Sequence, residues 1–154
     1  MELKSKDTRL FDVQLTYQKD YLFKNVASEH GNAAGEPYMS DEPDPVGTNS
    51  GPSTPALLGS AVGHCLSASL LEHMRFHGAK TEEGCIVTDA QVTVHKGEEG
   101  YPRIREINVT IRANDGGGLS TQNRASIDRN FKKHCTVSAS LSPAFPINVT
   151  VQWT

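Results

Sequence analysis

The residues of this chain best suited to chemistry are Cys65, Cys85 and Cys135, because a thiolate is both a nucleophile and a metal ligand. Their number is odd and their spacings are wide, so they do not read as the disulfide framework of a small exported domain. Two readings of Cys65 and Cys135 stand side by side. Each falls on the apolar face of a predicted helix, where a cysteine is commonly an inert core residue. If both helices pack on one sheet, their inner faces meet and the two thiols can form a redox pair, with Cα atoms about 5.5–6 Å apart when bridged. Cys85 follows Gly84 at the start of a predicted strand and reads as a small core residue.

Histidines accompany two of the cysteines, as His64-Cys65 and His134-Cys135. Two His and two Cys can fill a tetrahedral zinc site. Adjacent residues on a helix point about 100° apart, however, so such pairs rarely converge on one ion. His73 and His77 stand at i, i+4, a spacing that suits a metal, but without the acid of an H-E-x-x-H motif they read as a solvated face. No metal is expected. Gly116-Gly117-Gly118 lacks the G-x-G-x-x-G spacing and reads as a turn. No P-loop or Ser-His-Asp order is visible, and no cofactor is expected.

The elements that must position these groups follow from periodicity. Phe11 to Tyr17 alternates as a half-buried strand, Gln18-Lys19-Asp20 turns, and Tyr21 to Ala27 returns as a hairpin partner. A Gly-, Asn-, Pro-, Asp- and Ser-rich loop runs from Ser28 to Pro52, with room for a short edge strand at Pro37–Ser40. Ser53 or Thr54 caps a helix with Pro55 at its first position, and Leu57, Leu58, Ala61, Val62, Cys65, Leu66 and Ala68 share its broad face. Gly59 and Gly63 inside it each disfavour helix by about 1 kcal/mol, which close packing or a bend would justify. Gly78 ends the helix. Ile86–Val94 and Ile107–Ile111 form an antiparallel hairpin with one wet face. Ser120 or Thr121 caps a second helix with Ile127, Phe131 and Cys135 at i, i+4, i+8, and Ile147–Trp153 is the last strand. The order is β-β-α-β-β-α-β: a polar lead-in over 1–10, then a single α+β domain over 11–154.

Composition excludes several classes. With 15 Lys+Arg, 18 Asp+Glu and a net charge of −3, the chain carries no basic footprint for nucleic acid. Mean hydropathy is −0.45, and no uninterrupted apolar run approaches the roughly 18–20 residues of a membrane span. The charged start lacks the apolar core of a signal peptide, so a cytoplasmic protein is expected.

The run Gly47-Thr48-Asn49-Ser50-Gly51-Pro52-Ser53-Thr54-Pro55, the small-residue helix after it and Cys65 resemble the first cysteine element of the OsmC/Ohr superfamily (osmotically inducible protein C and organic hydroperoxide resistance protein). Arg129-Asn130-Phe131-Lys132-Lys133-His134-Cys135-Thr136-Val137-Ser138 resembles its second, and the element order matches from about residue 11 to 154. The resemblance implies an intertwined α+β homodimer, antiparallel sheets packed around two helices, that reduces organic hydroperoxides in oxidative-stress defence. It puts the peroxidatic cysteine at Cys65, the resolving cysteine at Cys135, and a dithiol or lipoylated protein as reductant.

Three positions depart from the family pattern. Pro55 and Ala56 stand where a Glu is usual, Cys135 precedes Thr136 rather than Pro, and the first hairpin offers Lys19 and Lys24 instead of an Arg. Cys65 lies ten residues into its helix, where the dipole gives no help, so an activating cation must come from elsewhere, Lys19 and Lys24 being the candidates by position. Glu36, Asp41, Glu42 and Asp44 are acids able to replace the missing Glu, although a solvated loop accounts for them too. The rival reading is an OsmC-like binding protein whose apolar pocket holds a small hydrophobic molecule, its cysteines spectators.

Overall fold

The computed structural model describes residues 8–154; the rest of the expected lead-in, residues 1–7, lies outside the described residues. The chain forms two compact units, one ending at Thr54 and one spanning Pro55–Thr154.

In the first unit β1 (Phe11–Lys19) pairs antiparallel with β2 (Leu22–Glu29), from Phe11↔Glu29 to Lys19↔Leu22. Asp20, with φ of 48°, makes the turn in the left-handed region that short polar side chains tolerate. Two short strands, β3 (Asn32–Ala33) and β4 (Tyr38–Ser40), add to β2, the latter where an edge strand was expected. One expectation fails here. β1 is exposed along its whole length rather than half-buried, because nothing in the described chain covers the face that carries Phe11, Val13, Leu15 and Tyr17.

The loop after β4 is tied by one carboxylate. Asp41, only 4% exposed, accepts from the amides of Glu42, Thr48 and Ser50 and from the Thr48 hydroxyl at 2.7–3.1 Å. These donors, the Ser50 amide foremost and the Thr48 hydroxyl next, lower its pKa from 3.8 to about 2. Gly47 lets the backbone close on this acid, since a Cβ there would lie 2.5 Å from Asp41 Oδ1.

The second unit holds the apolar core. α1 (Thr54–Phe76) turns Val62, Leu66, Leu70 and Met74 into it, each with no exposed surface. By length and composition α1 is also apolar enough to cross a bilayer, but in this fold that stripe is covered by protein. β5 (Ile86–Lys96) and β6 (Pro102–Ala113) make the expected antiparallel hairpin, with Ile107, Val109 and Ile111 on the buried side. β7 (Ile147–Trp153) then joins β6 in parallel, Ile107↔Ile147 through Ala113↔Trp153. A parallel pair needs a crossover, and α2 (Thr121–Asn130) begins it. The glycine run therefore lies in a βαβ setting. It remains a turn: the Gly116 and Gly117 amides are taken by the side chains of Asn114 and Asp115 at 2.8 and 2.7 Å.

Gly59 meets the sheet closely. A Cβ there would lie 2.9 Å from Val92 Cγ2, whereas one at Gly63 would stand 3.6 Å from Ala90 and Thr88. Close packing, not a bend, accounts for Gly59.

Candidate active site

The second cysteine element differs from the single helix expected. α2 stops at Asn130, Phe131–His134 form a 3₁₀ turn, and α3 (Thr136–Leu141) starts afresh. Cys135 is the N-cap of α3, with extended φ and ψ of −80° and 101°. Its sulfur accepts from the Ser138 amide at 3.3 Å, satisfying a donor that a helix start leaves unpaired. Ile127, Phe131 and Cys135 still share one side, all fully buried. The cap role of Cys135 was missed, because cysteine is not among the residues that mark a helix start in a sequence.

This geometry brings the two predicted thiols together. Cys65, half-buried on α1, packs against the core cluster that contains Cys135, which brings the two thiols into one neighbourhood. Burial pushes the Cys135 thiol up, and the neighbouring Cys65 thiol adds to this; the Ser138 contacts oppose it. Cys135 therefore favours its protonated form. Ser69, one helical turn beyond Cys65, hydrogen-bonds the Phe131 carbonyl and ties α1 to the turn before Cys135.

The adjacent histidines diverge. His64 lines a groove of about 610 Å³ between α1 and β5, together with Gly59, Gly63, Ala68, Leu71 and Cys85. His134 lies instead against His73, ring centres 4.9 Å apart. The paired His-Cys zinc arrangement is therefore not formed, and among the described residues no three His, Cys, Asp or Glu side chains stand ready around one point. Cys85 is half-buried at the groove rather than a core residue, because it sits in the turn before β5, its amide bonded to Glu82 O. Lys19 and Lys24 are exposed residues of the first unit, whereas both thiols belong to the second. Asp41 is committed to its own loop, as described above.

Comparison with known proteins agrees with this architecture. The family model described as OsmC-like protein matches residues 47–150. No curated protein sequence matches the chain. Among solved structures, an OsmC-like protein from Mycoplasma pneumoniae is similar with a TM-score of 0.72 at 17% identity, covering 94% of this chain and 97% of that one. The organic hydroperoxide resistance protein OhrB of Bacillus subtilis aligns with a TM-score of 0.61 at 10% identity, over 96% and 100% of the two chains. One from Elizabethkingia anophelis gives 0.62 at 14% identity, over 94% and 98%. These likenesses show an α+β fold held in common. With the family match spanning both cysteine elements, the chain belongs to the OsmC-like protein family.

Proposed function

We propose that this protein reduces organic hydroperoxides, with Cys65 as the attacking thiolate and Cys135 as the resolving thiol. The observation that carries the reading is the packing of Cys65 against the core cluster that holds Cys135, where the Cys65 thiol helps to raise the pKa of its neighbour. Cys65 sulfur attacks the outer oxygen of the peroxide; the O–O bond breaks, the alkoxide takes a proton and leaves as an alcohol, and Cys65 becomes a sulfenic acid. Cys135 sulfur then attacks the sulfenic sulfur, giving up its proton as the hydroxyl leaves as water, and a disulfide forms. An external dithiol or lipoyl group reduces it by exchange. Family membership and the names of the two hydroperoxide resistance proteins support the same class of activity, in a stress-defence role.

A homodimer belongs to this reading. Phe11, Val13, Leu15 and Tyr17 expose 51–60% of their surface on one strand, an apolar face of the sort that marks an interface. The cytoplasm is the proposed compartment, where thiols are kept reduced.

The binding-protein reading has one observation in its favour: the 610 Å³ groove is lined by His64 and Cys85 but by neither Cys65 nor Cys135. Consumption of cumene hydroperoxide in the presence of a dithiol separates the two. The wild type should turn over and Cys65→Ser should not; equal rates in both would reject Cys65 as the nucleophile.

A further inference from the structure

A thiol that reduces a disulfide attacks one of its two sulfurs first, and that choice decides which cysteine carries the mixed disulfide. The two cysteines of the proposed bridge sit in unlike surroundings. Cys135 has no exposed surface, and Ile127 and Phe131 of the same core cluster have none either. Its sulfur already faces the amide of Ser138 at 3.3 Å, and Ser138 is itself only 7% exposed. Cys65 is partly exposed. Ala61 and Ala68, its neighbours at i−4 and i+3 on α1, are exposed as well. Each ends at a methyl group, so the helix raises no bulk on either side of the thiol.

Two effects compete over the point of attack. Exchange is slower when the departing thiol has the higher pKa. Burial, which pushes the Cys135 thiol up, therefore disfavours its departure. Access acts the other way. An attacking sulfur must lie nearly in line with the bond it breaks, so a reductant aimed at Cys135 would have to come through the core. One aimed at Cys65 comes over α1 from solvent. A sulfur that cannot be reached does not react, whatever leaves from it, and access decides.

We propose that the reductant attacks the sulfur of Cys65, so that the mixed disulfide forms there and Cys135 departs into the core, received by the Ser138 amide. This step rests on the peroxide reading above, which supplies the bridge. The first thiolate of a dithiol bonds to Cys65 Sγ, the Cys65–Cys135 bond breaks, and its electron pair stays on the Cys135 sulfur. That sulfur accepts from the Ser138 amide and takes up the proton that the reductant's first thiol gave to solvent. The second thiolate of the dithiol then attacks the reductant's own sulfur, closes a cyclic disulfide and releases Cys65 as a thiolate. The dithiol has lost two electrons and the protein has gained them. Oxidant and reductant thus enter by the same sulfur, and Cys135 meets neither.

Glutathione, a bulky monothiol, is the probe for the first step. The Cys85→Ser protein is oxidised with one equivalent of cumene hydroperoxide, mixed with excess glutathione, quenched in acid at short times and mapped by mass spectrometry. The expected adduct is glutathione on Cys65, with Cys135 a free thiol. Glutathione on Cys135, or on neither cysteine of an intact bridge, overturns the proposal and leaves the peroxide reading standing. Oxidised protein without a Cys65–Cys135 bridge overturns both. Access is read separately in Cys65→Ser/Cys85→Ser and Cys135→Ser/Cys85→Ser, each of which keeps one thiol. Toward the chromogenic disulfide dithiobis-nitrobenzoate, Cys65 should react about tenfold or more faster than Cys135 in the folded proteins. The difference should vanish in urea, and circular dichroism checks that both variants are folded beforehand. Equal rates in the folded state would likewise overturn attack at Cys65.

Discussion

The backbone amide of Ser138 points at the sulfur of Cys135 from 3.3 Å, so the buried cysteine caps a helix as well as facing Cys65. A serine at this position keeps the cap, because a hydroxyl is among the preferred acceptors at a helix start, whereas alanine loses about 1 kcal/mol. Cys135→Ser is thus the variant that removes the resolving thiol with least damage to its support. After one equivalent of organic hydroperoxide it should hold a sulfenic acid at Cys65, trapped by dimedone and located by mass spectrometry. Label on Cys85 instead would show the wrong thiol to be the nucleophile.

In the wild type the same treatment should give a Cys65–Cys135 disulfide and leave Cys85 free. Peptide mapping of the oxidised, alkylated protein decides this. Cys85 in the principal bridge would contradict the pairing, since Cys85 lies on the groove rather than in the thiol contact.

Two alanine substitutions in α1 should have opposite signs. Gly63→Ala introduces a Cβ at ordinary contact distance and removes a flexible residue from a helix interior, a gain of up to about 1 kcal/mol. Gly59→Ala drives a Cβ to 2.9 Å from Val92 Cγ2. Valine is stiff at χ1, so overpacking of about 1–3 kcal/mol outweighs the helix gain. Urea unfolding midpoints compare the pair directly; a lower midpoint for Gly63→Ala than for Gly59→Ala would be the contrary result.

Acid should destabilise the protein through Asp41. Its carboxyl is held at about 2 against an ordinary 3.8, the Ser50 amide being the largest cause. A depressed value means the folded state holds fewer protons, so this stabilisation is full above pH 4 and is lost as pH falls toward 2. Asp115, lowered by its ion pair with Arg124 and by the Gly117 amide, acts in the same direction. The urea midpoint should drop across this window, and Asp41→Asn should flatten the drop while lowering the midpoint at neutral pH. An unchanged slope would exclude Asp41 as a source.

Arg124 links three parts of the second unit. It pairs with the fully buried Asp115 at 2.8 Å and lies 5.5 Å from the ring centre of Trp153, whose indole N–H reaches Asp128 at 3.2 Å. Arg124→Gln should lower the melting temperature by several degrees, because a buried carboxylate loses its cation. Trp153 is the single tryptophan, so its emission should shift in the same variant. Unaltered emission together with an unaltered melting temperature would mean that the pair contributes nothing.

Much of the fold was legible because alternation and caps are local. Phe11–Tyr17, Ile86–Val94, Ile107–Ile111 and Ile147–Trp153 all lie on strands, and a helix does begin at Thr54, one residue before Pro55. The parallel seating of β7 was not legible, since alternation tells which face a residue takes and not which way its neighbour runs. Nor was the break at Cys135. Ile127, Phe131 and Cys135 would share a face in one long helix, and they share it equally when the chain tightens to a 3₁₀ turn between them. The meeting of Cys65 and Cys135 was legible as a possibility from their two apolar faces. The contact between His73 and His134 was not, because neither sits in a short motif with the other.

The parallel pairing of β6 with β7 makes everything between Ala113 and Ile147 a span fastened at the end of β6 and again at its middle. One end is pinned where Asn114 donates to Cys85 O at 2.8 Å, the other where Ile107 donates to Pro146 O at 3.0 Å. Cys135 lies within this span, in the irregular stretch between α2 and α3. Opening the span around Phe131–Thr136 would part no strand ladder; it would break the Ser69–Phe131 hydrogen bond and uncover Phe131 and Cys135. A bulky reductant bound for the Cys135 sulfur would therefore meet a bridge over the sheet before it met the sheet itself.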